Sequence, residues 1–159
     1  MTRCLWSILS ATRSFETCFK ALNDTSKLTN SDYCVYTIVD GKRLARIAKE
    51  GRSGQFEERK PWATAGKLWQ KAHLAGRVMP VLFGDAADCS RLMYWGLLTD
   101  VHVHGEATRF AVDRVRKLGG KHTSQELVLR SSGKKIAPGF IRPYALCETP
   151  PFVKAKHTV

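Results

Sequence analysis

The 159-residue sequence has few acidic residues, no long apolar segment and no recognisable cysteine pattern. It has 14 Asp and Glu against 26 Lys and Arg, which gives a formal net charge of +12. The five cysteines are odd in number and widely spaced, and without a CxxC pair they indicate neither a disulfide framework nor a zinc knuckle. Because no apolar run approaches the ~20 residues that cross a bilayer, and the N-terminus lacks a signal-peptide pattern, we expect a cytoplasmic protein without a membrane partner.

Motifs for cofactors, metals and nucleophilic catalysis are also missing. The segment at 51–54 lacks the Lys-Ser of a Walker A loop and the glycine spacing of a dinucleotide fingerprint, so we expect no cofactor. Ser124 is close to His122 in sequence, but no nucleophile elbow surrounds it. Asp100, His102 and His104 alternate on one predicted strand face, but no further ligand follows at a suitable spacing. We therefore predict no metal site and assign no catalytic residue.

The composition is that of one folded domain carrying a broadly distributed positive charge. The sequence is 43% hydrophobic and 25% charged, which is near the globular average and excludes a disordered chain. Both halves of the chain share the basic surplus, so the folded body itself is expected to be positive. That balance favours a polyanionic partner, most commonly DNA or RNA. The alternative interpretation is a surface whose charge serves solubility alone.

Hydrophobic periodicity divides the chain into an N-terminal segment at 1–30 with a helix at 3–22, a domain at 31–153 and a basic tail at 154–159. Within the domain, one strand and two helices precede a run of short strands. The predicted helices are at 42–50 and 64–75, a loop is at 51–61, and the strands are at 33–39, 77–83, 92–103, 107–115, 126–130 and 140–147. This order predicts an α+β fold with a small, mostly antiparallel, barrel-like sheet and flanking helices.

A helix and two strands in the middle of the chain carry a family resemblance. They are the helix at 65–75, the strand Val-Met-Pro-Val-Leu-Phe-Gly-Asp at 78–85 and the strand Tyr-Trp-Gly-Leu-Leu-Thr-Asp-Val at 94–101. In this order they resemble the PUA-like superfamily, which includes the PUA, ASCH, EVE and YTH domains. The resemblance covers about residues 33–152 and implies a small β-barrel that binds RNA or DNA, often with one modified or flipped base in an aromatic pocket. The ASCH signature Gly-x-Lys-x-x-Glu-x-Arg is absent.

Four aromatic residues are candidates for holding a base. Trp62 precedes a predicted helix, Trp69 lies within it, and Tyr94 and Trp95 are adjacent in a strand, so that these last two point to opposite faces. Stacking on such rings stabilises a bound base by roughly 1–3 kcal/mol, and extracted bases are held in the same way. The alternative is core packing, which the helical spacing of Trp69 with Leu68 and Ala72 favours at that position.

Basic residues surround the same predicted loop and helix. The candidates for phosphate contacts are Arg52, Arg59, Lys60, Lys67 and Lys71. A second basic group follows later in the chain, comprising Arg109, Arg114, Arg116, Lys117, Lys121, Lys134 and Lys135. Contacts of this kind would position a nucleic acid without reading its sequence. Solvated surface charge is the alternative for each residue taken singly.

The leading hypothesis is a module that binds nucleic acid, with Trp62 and either Trp95 or Tyr94 enclosing one base. A second hypothesis is a small enzyme acting on a modified nucleoside, with Glu57, Glu58 or Lys60 in acid–base roles. A third is a protein-interaction domain, or a homodimer, that docks through the N-terminal helix. The sequence does not distinguish DNA from RNA.

Overall fold

The structure, a computed structural model, describes residues 29–139 and 144–153. The predicted N-terminal helix and the predicted basic tail lie outside these residues. The described residues form two α-helices, a 3₁₀ turn at Ser124–Glu126 and seven strands. In chain order, the helices and strands are β1 (Thr29–Asn30), β2 (Tyr33–Val39), α1 (Gly41–Glu50), β3 (Gly54–Glu58), α2 (Ala63–Leu74), β4 (Arg77–Asp85), β5 (Arg91–His104), β6 (Ala107–Thr123) and β7 (Tyr144–Glu148).

The seven strands form one sheet that is mostly antiparallel. Its order is β3-β6-β5-β4-β2-β7, and the short β1 also pairs with β4. Of the strand pairs within residues 29–139 and 144–153, only β2–β4 and β1–β4 are parallel. The predicted α+β class is thus confirmed. The predicted barrel is not confirmed, because the end strands β3 and β7 do not pair with each other in the described part of the chain.

Both faces of the sheet are buried at its centre, in β2, β4 and the first half of β5, because alternate side chains of these strands enter two separate cores. The helix-side core lies under α1 and α2, and it includes Leu44, Phe56, Trp62, Ala65, Phe83, Tyr94, Phe110 and Val112. The C-terminal core lies on the other face under the segment that follows β6, and it includes Leu82, Trp95, Leu97, Leu127, Ile136 and Val153. Successive residues of β2 contribute to different cores, since Val35 enters the helix-side core and Tyr36 enters the C-terminal core.

A β-bulge in β6 lies opposite Gly96 of β5. Trp95 pairs with Arg116 and Leu97 pairs with Asp113, so β6 has one extra residue over this interval. A Cβ atom on Gly96 would lie 2.5 Å from the Val112 Cγ1 atom, so only glycine allows the two strands to approach this closely.

The ends of the described domain lie side by side. The Asn30 amide donates a hydrogen bond to the carbonyl of Val153, and the Thr149 hydroxyl donates one to the carbonyl of Ser31 at 2.8 Å. These contacts fix the segment after β7 against the start of the sheet.

The structure corrects several predicted boundaries. Part of the loop predicted at 51–61 is strand β3, which the pattern misses because Phe56 is its only buried residue. Strand β6 continues through Gly119 and Gly120 as far as Thr123. Helix α2 begins at Ala63, one residue before its predicted start, and no side chain caps its N-terminus. Asp40 caps the N-terminus of α1, because its carboxylate accepts a hydrogen bond from the Lys42 N–H at 3.2 Å.

Candidate nucleic-acid interface

A buried threonine anchors the connection between β3 and α2, which carries several of the predicted site residues. The Thr108 hydroxyl accepts a hydrogen bond from the Trp62 N–H at 2.8 Å and donates one to the Lys60 carbonyl at 2.7 Å. Thr108 is fully buried, whereas Arg59 and Lys60 are exposed. The connection is therefore fixed from below by strand β6 while its basic side chains face solvent.

The indole of Trp62 is fully buried between two other aromatic rings. The Phe110 ring centroid lies 4.2 Å from that of Trp62 with an interplanar angle of 27°, and the Tyr144 centroid lies 5.0 Å away at 15°. Trp62 has no exposed surface, and its Nε1 atom has no hydrogen-bond acceptor among the described residues. A base can therefore stack on Trp62 only if Phe110 or Tyr144 moves.

The other three aromatic candidates are also largely enclosed. Tyr94 enters the helix-side core and Trp95 enters the C-terminal core, so the predicted opposite orientation is confirmed. Because both faces of the sheet are covered, both rings are buried. Trp69 is half-buried on α2, where its Nε1 atom donates a hydrogen bond to the Leu98 carbonyl at 3.1 Å.

The five predicted phosphate-binding residues are all exposed, but they fall into two groups. Arg59 and Lys60 follow β3, and Lys67 and Lys71 lie on the next element, α2. Arg52 precedes β3, and its carbonyl accepts a hydrogen bond from the Val115 N–H at 2.8 Å. Since each strand residue advances about 3.3 Å, the length of β3 separates Arg52 from Lys60. One small site cannot include all five residues.

Arg52 instead joins Arg114 and Arg116 of β6, and we call these three residues the arginine cluster. The guanidinium of Arg116 lies 4.3 Å from the ring centroid of Trp95. Burial, followed by the charges of Arg114 and Arg52, lowers the pKa of Arg116 below its ordinary value. The Arg116 Nε atom is buried without an acceptor among the described residues. Sequence reasoning missed this cluster because the pairing of β6 with the unrecognised β3 region brings it together.

Two members of the arginine cluster have left-handed backbone conformations. The φ angle is +63° at Arg52 and +55° at Arg114. For residues other than glycine this conformation costs roughly 1–2 kcal/mol each. Asp113 helps to hold the arrangement, because its Oδ1 atom accepts hydrogen bonds at 2.7 Å from both the Ser53 hydroxyl and the Arg114 N–H. Among the described residues, no ion pair involves Arg52 or Arg116.

The histidines that sequence analysis considered form local surface contacts. His102 Nε2 lies 2.9 Å from Asp100 Oδ2, and the His102 and His104 rings stack with centroids 6.0 Å apart. No group of three metal-ligating side chains within residues 29–139 and 144–153 could hold a metal ion. His122 lies 3.2 Å from the Glu126 carboxylate and stacks on Phe152. These contacts do not support Ser124 as a nucleophile activated by His122.

The acid–base candidates of the enzyme hypothesis differ in their surroundings. Glu57 is exposed, whereas Glu58 is half-buried and burial raises the pKa of its carboxyl group. Hydrogen bonds from the Arg59 backbone and the Thr37 hydroxyl, and the charge of Lys60, act in the opposite direction. This arrangement alone does not define a reaction.

Comparison with known proteins adds no assignment, because no family model, curated protein or solved structure matches the chain. Among the described residues, neither helix has the length and apolar character that would let it traverse a bilayer.

Proposed function

We propose that the protein binds nucleic acid, with its exposed basic side chains contacting the phosphate groups. The observation that carries this proposal is the charge of the two helices. Both pack on the helix-side core, and between them they carry one acidic residue, Glu50. Their exposed cations are Lys42, Arg43, Arg46, Lys49, Lys67 and Lys71. A helical surface of this composition provides the electrostatic attraction that supplies most non-specific nucleic-acid affinity.

The resemblance to the PUA-like superfamily supports the same proposal. The α+β class agrees with that resemblance, while the closed barrel and membership of the superfamily remain part of the proposal. Recognition of one base beside Trp62 also stays a prediction. It would require the Tyr144 or Phe110 ring to move aside, and an acceptor on the base would then satisfy the unpaired Trp62 Nε1 donor.

The test is a measurement of oligonucleotide affinity by fluorescence anisotropy across a series of salt concentrations. Single-stranded and duplex 20-mers of DNA and RNA serve as probes, with an abasic oligonucleotide to detect base stacking. For single strands the slope of log K against log salt is about −0.7 per phosphate contact. We expect Lys67→Gln/Lys71→Gln to make this slope shallower by about 1.4, which corresponds to the loss of two contacts.

The matched control is Lys134→Gln/Lys135→Gln, which removes the same charge from exposed positions distant in sequence from α2. A smaller change of slope in the control supports the helical surface as the interface. Binding that does not respond to salt would refute the proposal for nucleic acid. Equal slopes in the two variants would refute the assignment to α2. Unchanged affinity for the abasic probe would refute the base pocket.

A further inference from the structure

We infer that the arginine cluster is a binding site for one phosphate group at the β6 bulge. The inference rests on the proposed function in one respect, because it takes that phosphate to belong to a nucleic-acid backbone. Arg52 comes from the turn between α1 and β3, and Arg114 and Arg116 come from the bulged strand. The site adjoins the C-terminal end of α1, because the Arg52 N–H donates a hydrogen bond to the Ile47 carbonyl at 2.8 Å.

The first argument is the concentration of positive charge. Burial, followed by the charges of Arg114 and Arg52, lowers the pKa of Arg116, which is consistent with three guanidinium groups lying close enough to repel one another. No ion pair within the described part of the chain compensates Arg52 or Arg116. A bound anion would relieve the mutual repulsion of the three guanidinium groups.

The second argument is that Arg116 is held in place before any ligand arrives. Its guanidinium stacks over the buried ring of Trp95 at 4.3 Å, an arrangement that fixes the plane of the group. Its Nε donor has no acceptor among the described residues. A guanidinium presents a rigid fork of donors that matches two oxygens of a phosphate group, and a phosphate that reached the buried Nε donor would satisfy it.

The third argument is the backbone that carries the other two arginines. Arg52 and Arg114 both adopt φ angles that favour glycine, at +63° and +55°. The Val115 N–H donates a hydrogen bond to the Arg52 carbonyl, and the Asp113 carboxylate accepts one from the Ser53 hydroxyl and one from the Arg114 N–H. Strained conformations of this kind persist where the surrounding structure determines them, and they concentrate at ligand sites. Because glycine would suit both backbone conformations better, the presence of arginine indicates that the two side chains take part in ligand binding.

Because glycine relieves the strain at both left-handed positions, one double variant can separate an effect on phosphate binding from an effect on the stability of the fold. Arg52→Gly/Arg114→Gly removes two charges and also relieves both left-handed conformations. We expect this variant to melt at the wild-type temperature or higher and yet to bind phosphate at least tenfold more weakly. Arg116→Gln removes the stacked guanidinium and should weaken binding similarly. The control is Arg91→Gln/Arg130→Gln, which removes two exposed arginines that belong to neither basic group and should bind within twofold of the wild type.

Three probes are titrated into the full chain by calorimetry: inorganic phosphate, pyrophosphate and a single-stranded 20-mer. Weaker binding of all three to both cluster variants, with the control unaffected, supports the site and its nucleic-acid source. If the cluster variants lose phosphate and pyrophosphate but the wild type does not bind the 20-mer, the site stands and the proposed function fails. If the variants and the wild type bind every probe equally, the inference is overturned while the helical interface can still stand.

Discussion

Removal of the Thr108 hydroxyl offers a direct test of how the β3–α2 connection is held. Thr108→Val keeps the shape of the side chain but leaves the Trp62 N–H and the Lys60 carbonyl without their partner. Both of these groups meet the hydroxyl of a fully buried residue, so water does not readily replace it. The matched variant is Thr108→Ser, which retains the hydroxyl and loses one methyl group.

The expected cost follows from the two groups that lose their partner. Each buried polar group left unsatisfied costs about 1–3 kcal/mol, so we expect a loss of about 2–4 kcal/mol, allowing for partial relaxation. For a chain of this size each kcal/mol lowers the melting temperature by about 2–4 °C. Thr108→Val should therefore melt about 4–16 °C below the wild type. Thr108→Ser should lose about 1 kcal/mol, the value for one buried methyl group.

The assay is chemical denaturation followed by circular dichroism, with thermal melts as a second measurement. The oligonucleotide affinity of Thr108→Val is measured at a temperature where the protein stays folded, and it should fall because Lys60 is held less firmly. Equal stability of the valine and serine variants would refute the reasoning, since it would show that the hydroxyl does not support the connection.

Two further predictions concern the strand geometry and the buried thiols. Gly96→Ala should cost about 1–3 kcal/mol by overpacking, because its Cβ would lie 2.5 Å from Val112 Cγ1. Gly119→Ala meets nothing within 4 Å and is the control; equal losses by urea denaturation would contradict the close approach of the two strands. Burial raises the pKa of Cys147 from 9.0 to about 12. The buried neutral thiol therefore contributes its full share of the folding stability below pH 9. As the pH rises from 9 to 12, on the order of 4 kcal/mol of the free energy of unfolding is lost. The free energy of unfolding of Cys147→Ala should therefore fall less steeply over this interval; parallel curves would rule out that contribution.

The elements with a strong hydrophobic period could be predicted from the sequence, and the arrangements that depend on pairing could not. Strand β2 has the predicted bounds, and α1 begins one residue before its predicted start. Strand β3 has only Phe56 directed into a core, so its period of two is not visible in the sequence. Its existence follows instead from hydrogen bonds to β6, which no local pattern contains.

The candidate site shows the same division between local and long-range information. The exposure of Lys67 and Lys71 follows from helical spacing alone. The sequence specifies only that Tyr94 and Trp95 point to opposite faces of the sheet. Both are buried because the helix-side core covers one face and the C-terminal core covers the other. The arginine cluster joins residues more than sixty positions apart through the β3–β6 region, and this distance explains why the sequence pattern assigned Arg52 to a different group.

The contact between Asn30 and Val153 has a consequence for how this domain combines with other chains. Because the first and last residues of the domain lie close together, sequences fused before residue 29 and after residue 153 would leave the domain at neighbouring positions. A domain of residues 29–153 could thus be inserted into a surface loop of a host protein without separating the two ends of that loop.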